Sequence, residues 1–405
     1  MGFMAIDEGT TLVHIGPPKT ATTTLQYGFH DNREALAAQG VRYAGTTHQS
    51  MTAAQQVVQT GAIYGQKPIK KNAWQKLVKE VASAPEPRVV VSSEYFADAS
   101  ESTVAEIVEG LGGDAVHVVL TLRPLAEILP SQWQQYVKVH ATVSYERWLR
   151  RVLSYDGLAV DHPFWVRHRH DKLIERWLKV VGPDRLTVVI LDRDDRSFVF
   201  ESFEDLLGLP PDSLVPRQAV DNRSLTSGEA EFVRRINLAS KRERLPPETH
   251  RTWLALGARE KMIRRRPSGE ESRIATPAWA VERVARLSEE MVAKMADMPI
   301  DLRGDLSNLL SPADGSACDN AASGTAVAPE TLRLALDGVV DRAGEQIDAR
   351  VAADAVVQLT QTLSRTPAPE THDIVAGQPA GELSVRELAG LIWQRLKART
   401  ARLKR

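Results

Sequence analysis

The most informative stretch of the chain reads Thr11-Leu-Val-His-Ile-Gly-Pro-Pro-Lys-Thr-Ala-Thr-Thr-Thr-Leu-Gln26. Its short apolar run predicts a buried strand that breaks at Gly16, and the apolar spacing after the turn predicts a helix. The first N–H groups of a helix have no partner within the helix, and the helix dipole there favours an anion. Lys19 adds a positive charge beside them, so the stretch predicts a phosphate-binding loop. Its hydroxyl groups are further candidate donors: Thr20, Thr22, Thr23 and Thr24. The alternative is a helix that threonines cap after a proline-rich turn.

The composition is that of an ordinary globular protein. The chain has 405 residues, of which 43% are hydrophobic and 25% charged, enough for one large α/β domain with an appendage or for two domains. A net charge of −1 gives no reason to expect nucleic acid as a partner, so any basic site must be local. Cys318 is the only cysteine, which excludes a disulfide framework and a multi-cysteine metal site.

The N-terminal residues 1–10 carry neither the basic region nor the apolar core of a signal peptide. No later apolar run is long enough to span a bilayer. We therefore expect a cytoplasmic protein.

Continuous apolar runs predict strands at residues 88–96, 115–122 and 182–191, and residues 41–43 resemble a shorter strand. Apolar runs without alternation are typical of a parallel sheet that is covered on both faces. Ligands of such sheets bind beyond the carboxyl ends of the strands. Glu94 follows the strand at 88–96, so we expect it in the same crevice as Lys19.

Arg123 and Ser131 follow the strand at 115–122. Pro124 suits the first position of a helix, whereas Pro130 cannot donate a backbone hydrogen bond, so we expect the helix to kink or restart there. Arginine can bind a phosphate through two parallel N–H groups, and a serine hydroxyl adds a third donor. The alternative for Arg123 is a salt bridge at the start of a helix.

Two features resemble sulfotransferases that use 3′-phosphoadenosine 5′-phosphosulfate (PAPS). The order Pro18-Lys-Thr-Ala-Thr-Thr-Thr24 is similar to their 5′-phosphosulfate loop, usually written P-K-[ST]-G-[TS]-T. Arg123 and Ser131 have the spacing of the pair that holds the 3′-phosphate in that family. Ala21 stands where the family most often has glycine, and its methyl group requires a backbone at negative φ. The resemblance covers roughly residues 11–230 of the chain.

The resemblance implies an α/β fold of three layers, with a central parallel sheet flanked by helices as in P-loop proteins, to which the chain adds a helical C-terminal extension. It implies transfer of a sulfuryl group from PAPS to a hydroxyl or amine of a carbohydrate, glycolipid or secondary metabolite, with no metal. The implied catalytic residues are Lys19 and Glu94. The implied donor-binding residues are Pro18, Lys19, Thr20, Ala21, Thr22, Thr23, Thr24, Arg123, Ser131 and Arg223.

Glu94 is our choice for the base that deprotonates the acceptor, because carbohydrate-modifying members of the family often use a glutamate and a strand-end residue is well placed to reach the acceptor. The alternative is a carboxylate that pairs with Lys19 or Arg123, and His48 remains an outside candidate for the base. Arg223, with Ser224, is our candidate for a late basic loop over the 3′-phosphate. The alternative for that segment is the start of a helix capped by Thr226 or Ser227.

Two histidines, His168 and His170, lie two residues apart and would not share a helix face as metal ligands do. We expect them in a polar loop that faces the acceptor.

The chain divides into an α/β domain at 1–300, a flexible linker at 301–329 and a helical extension at 330–405. The amphipathic, basic helix at 384–405 would either contact an anionic membrane surface from the cytoplasm or dock on its own domain. The expected partner is a small-molecule or glycan acceptor, not nucleic acid. The competing functions are a small-molecule kinase that uses magnesium–ATP and a nucleotide-binding scaffold without catalysis.

Overall fold

The computed structural model describes residues 5–59, 72–154, 162–216, 223–242, 244–269, 271–310, 317–318 and 329–344. The predicted basic helix at 384–405 and most of the predicted linker lie outside these residues. None of the described helices has the length and apolar character needed to cross a membrane.

Within the described residues, the central sheet has six parallel strands, which are β1 Thr11–His14, β2 Val41–Tyr43, β3 Arg88–Ser92, β4 Val116–Leu122, β5 Leu186–Ile190 and β7 Asp301–Arg303. Their order across the sheet is β2-β3-β1-β4-β5-β7. His14 of β1 lies beside Ser92 of β3 and Val119 of β4. The carboxyl ends of these three strands therefore meet at one edge of the sheet.

Helices cover both faces of the sheet because successive apolar residues of each strand point to opposite sides. Leu12 of β1 belongs to one core and Val13 to the other. The first core is formed with α1 Thr22–Asp31, α2 Arg33–Ala38 and α10 Phe198–Leu207. The second is formed with α3 Met51–Val58, α4 Ala73–Ala82, α5 Glu101–Leu111 and α9 His170–Val181. This three-layer α/β arrangement confirms the predicted fold class.

A third core lies among helices beyond the sheet and brings Trp133, Trp148 and Phe164 together. Its helices are α6 Leu125–Val139, α7 Tyr145–Val152, α8 Pro163–His168, α11 Ser227–Arg242 and α14 Ala278–Ala296. Thr276–Pro277 (β6) and Ala317–Cys318 (β8) form a separate short parallel ladder.

The last described helix, α15 Pro329–Gly344, begins one residue before the predicted extension and packs on another helical segment. That segment runs without a break through α12 Pro247–His250, the π-helical stretch Arg251–Ala258 and α13 Arg259–Arg264. Gly257 and Gly338 form the crossing point, where a Cβ atom on either residue would collide with the backbone carbonyl of the other. The two helices approach closely because neither glycine has a side chain.

Two expectations about these elements are not met. Helix α6 does not restart at Pro130 but runs through it as one helix; the missing N–H costs one backbone bond, and the buried Ile128 and Leu129 hold this turn against the core. The linker does not begin at 301, since β7 Asp301–Arg303 belongs to the sheet. Its sequence Asp-Leu-Arg has only one apolar residue and therefore gives no local strand signal. A long-range contact helps to hold the strand, because the buried Arg303 donates a hydrogen bond to the carbonyl of Ser202.

Candidate active site

A cleft of about 810 Å³ lies where β1, β3 and β4 end. Lys19 follows β1, Glu94 follows β3 and Arg123 follows β4, and all three line it. The predicted site residues that line this cleft are Pro18, Lys19, Ala21, Thr22, Thr23, Thr24, Glu94, Arg123, Ser131, Arg223 and Ser224. The sheet topology therefore brings together segments that are more than a hundred residues apart in the sequence.

The loop after β1 turns sharply at Gly16, whose φ is +79°. A Cβ atom there would lie 3.1 Å from the Cβ of Glu94 and 3.3 Å from a methyl carbon of Thr22. Glycine is required at this position by the backbone angle and by the close approach of the two segments. The same approach places the loop directly against Glu94.

Ala21 departs from the expectation made for its backbone. Its φ is +58°, in the left-handed region, and not negative. An L-residue with a side chain is strained in that region by about 1–2 kcal/mol. The turn that delivers the chain into α1 imposes this conformation, which a glycine would adopt without that strain.

The first turn of α1 faces the cleft without a side-chain cap. Ala21 occupies the capping position and offers no side-chain acceptor, while Thr22, Thr23 and Thr24 all line the cleft. Helix α1 therefore presents its unpaired N–H groups and the positive end of its dipole to whatever occupies the cleft.

Lys19 projects its ammonium group towards α6, where Nζ donates a hydrogen bond to Oε1 of Gln135 at 3.2 Å. Burial lowers the pKa of Lys19, Glu94 opposes this shift and Arg123 adds to it. The ammonium group thus faces a neutral acceptor and a cleft that suits an anion.

Thr20 has a structural role in place of the predicted one in donor binding. Its buried hydroxyl donates to the carbonyl of Pro17 at 2.6 Å and lies 2.7 Å from the hydroxyl of Thr121. The side chain supports the loop from below, so its oxygen does not serve the cleft.

A buried polar network continues beneath the loop from Thr121. The ring of His14 lies 3.3 Å from the Thr121 hydroxyl and 2.9 Å from that of Ser92, and the amide of Gln26 donates to Ser92 at 3.1 Å. Burial lowers the pKa of His14 to about 3, so the ring is neutral. His14 therefore ties three strands together and is not a base for the acceptor.

Glu94 is the carboxylate of the cleft. Burial raises its pKa, while hydrogen bonds, among them one from Nε2 of Gln26 at 3.5 Å, and the charges of Lys19 and Arg167 moderate the shift. In the part of the chain that the structure describes, no ion pair within 4.0 Å involves Glu94. The alternative of a salt-bridged carboxylate is thus not realised as a direct contact, and the group has the properties of a general base.

Arg123 and Ser131 both line the cleft, as expected for a phosphate site. Nε of Arg123 also forms an ion pair with Glu127, which pairs with Arg193 as well. The salt bridge weighed as an alternative for Arg123 therefore exists alongside its position in the cleft.

Arg223 lines the cleft but serves as a clamp, which corrects its predicted role in donor binding. Its guanidinium donates to both carboxylate oxygens of Glu229, at 2.7 and 2.8 Å, and to the carbonyl of Met262 at 2.7 Å. Glu229 also accepts from Arg265 and from the backbone N–H of Thr226. This is the alternative interpretation of the segment, a capped start of α11, reinforced by two arginines.

Several residues of the cleft were missed from the sequence, most of them on α6. Ser131, Gln135 and Lys138 line the cleft at spacings of four and three residues, which is one face of a helix. That spacing was visible and could have identified Gln135 and Lys138 once Ser131 was proposed. Arg167, bound by Asp98 through both carboxylate oxygens, carried no comparable signal because the contact joins positions 69 residues apart.

The histidines expected near the acceptor lie elsewhere. His168 and His170 are buried because they belong to α8 and α9 and not to a loop, and the ring of His168 packs against that of Phe164. His48 stacks on Tyr27 with ring centroids 4.7 Å apart. Over the described ranges there is no group of three or more His, Cys, Asp or Glu side chains that could hold a metal ion.

The chain matches no protein-family model and no curated protein. Among solved structures, it is similar to the crystal structure of a sulfotransferase from Alicyclobacillus acidocaldarius, with 14% sequence identity and a TM-score of 0.36. That similarity covers 58% of this chain and 92% of the other. At this identity and TM-score it establishes neither a family nor a function for the chain.

Proposed function

We propose that the chain is a sulfotransferase that moves the sulfuryl group of PAPS to a hydroxyl or amine of an acceptor such as a carbohydrate, glycolipid or secondary metabolite. One observation carries the proposal. The uncapped start of α1, Lys19, the Arg123–Ser131 pair and the half-buried Glu94 line a single cleft. This set combines two candidate anion-binding sites, one at the start of α1 and one at Arg123, with one candidate base.

The donor fits the cleft through its two phosphate ends. The first-turn N–H groups of α1 and the ammonium of Lys19 hold the 5′-phosphosulfate, since both present positive charge and no carboxylate of the described residues is bonded to them. Arg123 and Ser131, from the end of β4 and from α6, hold the 3′-phosphate. Arg223 takes no part, because its N–H groups already donate to protein oxygens.

Glu94 accepts the proton of the acceptor in the proposed reaction. The acceptor oxygen or nitrogen then bonds to sulfur while the bond from sulfur to the bridging phosphate oxygen breaks, and that bond's electron pair leaves on the 5′-phosphate. Lys19 and the α1 amides stabilise this developing charge, and donors already aimed at it lower the barrier. The transferred group carries less charge than a phosphoryl group, so the proposed reaction needs no metal.

The test is calorimetric titration of the whole protein with 3′-phosphoadenosine 5′-phosphate (PAP) in the presence of a chelator, and separately with magnesium–ATP. We expect PAP to bind without metal and more tightly than magnesium–ATP. Tighter binding of magnesium–ATP would assign the cleft to a kinase, and binding of neither would leave the proposal without support.

A further inference from the structure

The order of residues along α6 gives the cleft a donor end and a far end. Arg123 lies two residues before the first residue of the helix, Ser131 lies in its second turn, and Gln135 accepts a hydrogen bond from Lys19. Lys138 lines the cleft three residues later, about 4.5 Å farther along the helix axis. Lys138 is therefore on the opposite side of Lys19 from the Arg123–Ser131 pair.

Lys138 differs from the arginines of the cleft in its charge pairing, since within the described ranges it has no carboxylate partner. Arg123 pairs with Glu127, Arg167 with Asp98 and Arg223 with Glu229. For Lys138, by contrast, no ion pair within 4.0 Å occurs among the residues that the structure describes. The lysine thus has the charge of an anion-binding group that the protein itself does not neutralise.

The surroundings of Lys138 are predominantly positive. The side chain is half-buried, and it is repelled by the charges of Lys19, Arg259 and Arg223 and attracted by that of Glu229, which is itself paired with Arg223. Burial, followed by these three cations, lowers the pKa of Lys138 to about 8. A group held among like charges is stabilised when an anion enters beside it.

The end of α6 is fixed, so Lys138 has a defined position. Arg259 donates to the carbonyl oxygen of Lys138 at 2.8 Å, and the amide of Asn237 donates to that of Val137 at 2.7 Å. Next to it the cleft is walled by Tyr136 and Trp148, whose rings meet edge to face with centroids 6.0 Å apart. An aromatic wall beside a cation suits a ring-shaped molecule that carries an acidic group.

We propose that the acceptor is acidic, with a carboxylate or similar anionic group near the reacting hydroxyl or amine, and that Lys138 binds this group. The inference rests on the proposed sulfotransferase function, because it assigns the far end of the cleft to the acceptor. It makes Lys138 a residue that determines acceptor specificity and leaves donor binding to Lys19, Arg123 and Ser131.

The test uses two probes that differ chiefly in a carboxylate, 4-nitrophenyl β-D-glucuronide and 4-nitrophenyl β-D-glucoside. Each is titrated into the whole protein with and without saturating PAP. We expect the glucuronide to bind about tenfold more tightly, as for a hydrogen bond to a charged group. Lys138→Met should abolish this preference, and Lys138→Arg should retain it. Lys76→Met, which removes an exposed lysine of α4, is the matched control and should keep it.

Equal affinity for the two probes, including no detectable binding of either, would overturn the proposal. So would a preference that survives Lys138→Met, or a tenfold loss of PAP affinity in that variant, since Lys138 would then belong to the donor site. Failure of the sulfotransferase proposal has a different signature, namely a native protein that does not bind PAP. The glucuronide preference is also measured without nucleotide, so the two failures are distinguishable.

Discussion

Glu94 shows how one carboxylate acquires a chemical role from its surroundings. It follows a buried strand, the loop at Gly16 packs against it, and burial raises its pKa. Gln26 reaches it from α1 and holds Ser92 at the same time. The sequence predicted the position of Glu94 from the strand, whereas the contact with Gln26 depends on a packing of α1 that no local pattern reveals.

Replacement of Glu94 by glutamine should separate catalysis from binding. We expect Glu94→Gln to lower sulfuryl transfer from PAPS by at least about 100-fold, the usual contribution of a general base. PAP affinity should stay within about twofold, since a neutral isostere keeps the shape of the site. Transfer rates and calorimetric affinities measure the two quantities. A large loss of PAP affinity would make Glu94 a structural carboxylate.

The pH dependence of transfer follows from the same residue. A general base acts in its deprotonated form, so the transfer rate should fall as the pH drops through the pKa of Glu94. Because burial raises that pKa, the fall should begin at a higher pH than for an exposed glutamate. The rate profile of the native enzyme measures this, and an acidic limb at the position of an exposed carboxyl would contradict it.

Ala21 offers a test of the strained loop. Ala21→Gly should raise the free energy of unfolding by up to about 1 kcal/mol, because glycine tolerates the φ of +58°. The matched control is Ala105→Gly in the exposed middle of α5, which should lower it by about 1 kcal/mol. Denaturant unfolding measures both. If both variants lose stability equally, Ala21 is not strained.

At the scale of elements, the strands and the loop after β1 could be predicted and the later loops could not. Apolar runs are local signals, and they located β1, β3, β4 and β5 because each strand is buried on both faces. A capped start of α11 was one of two interpretations of the segment at Arg223, but the bond from Arg223 to Met262 could not be predicted, since Met262 belongs to the distant α13. Polar residues between helices have the same local sequence pattern whether they bind a ligand or hydrogen-bond to the backbone.

The buried His14 should make the free energy of unfolding depend on pH. Its folded-state pKa, about 3, lies below the unfolded value, so the unfolded chain binds a proton that the folded chain does not. The contribution to stability is therefore fully present above pH ~6.5 and is lost as the pH falls towards 3, by about 1.4 kcal/mol per pH unit. His14→Gln should remove about one proton from the pH slope of unfolding. An unchanged slope below pH 6 would contradict this interpretation.

At the scale of the whole molecule, one edge of the sheet carries the site residues, and the helices beyond the sheet enclose the cleft. β7 and the crossing of α15 on the π-helical turn were not predicted, because a three-residue strand and two glycines in contact depend on distant partners. The observed strand order sets the ends of β1, β3 and β4 side by side, and it is this order that joins Lys19, Glu94 and Arg123. The site residues at the strand ends could therefore be predicted more readily than the helices on the other side of the cleft.

The glycine crossing predicts a stability effect without a functional one. Gly338→Ala should lower the free energy of unfolding by about 1–3 kcal/mol, because its Cβ meets the backbone of Gly257. PAP affinity should be unchanged, since neither residue lines the cleft. Gly269→Ala is the control, because a Cβ there meets nothing within 4 Å. Equal stability of the two variants would show that α15 does not depend on this contact.

The most direct test of the sulfotransferase account is the preference for PAP over 5′-AMP, measured by calorimetry in the native protein and in Arg123→Ala. The two nucleotides differ in the 3′-phosphate that Arg123 is assigned to bind. We expect the native protein to prefer PAP by at least about tenfold and Arg123→Ala to bind the two nearly alike, as for loss of a charge-assisted hydrogen bond. Arg150→Ala, which removes an exposed arginine of α7, should keep the native preference. A preference that survives Arg123→Ala, or a native protein that does not distinguish PAP from AMP, would contradict the account.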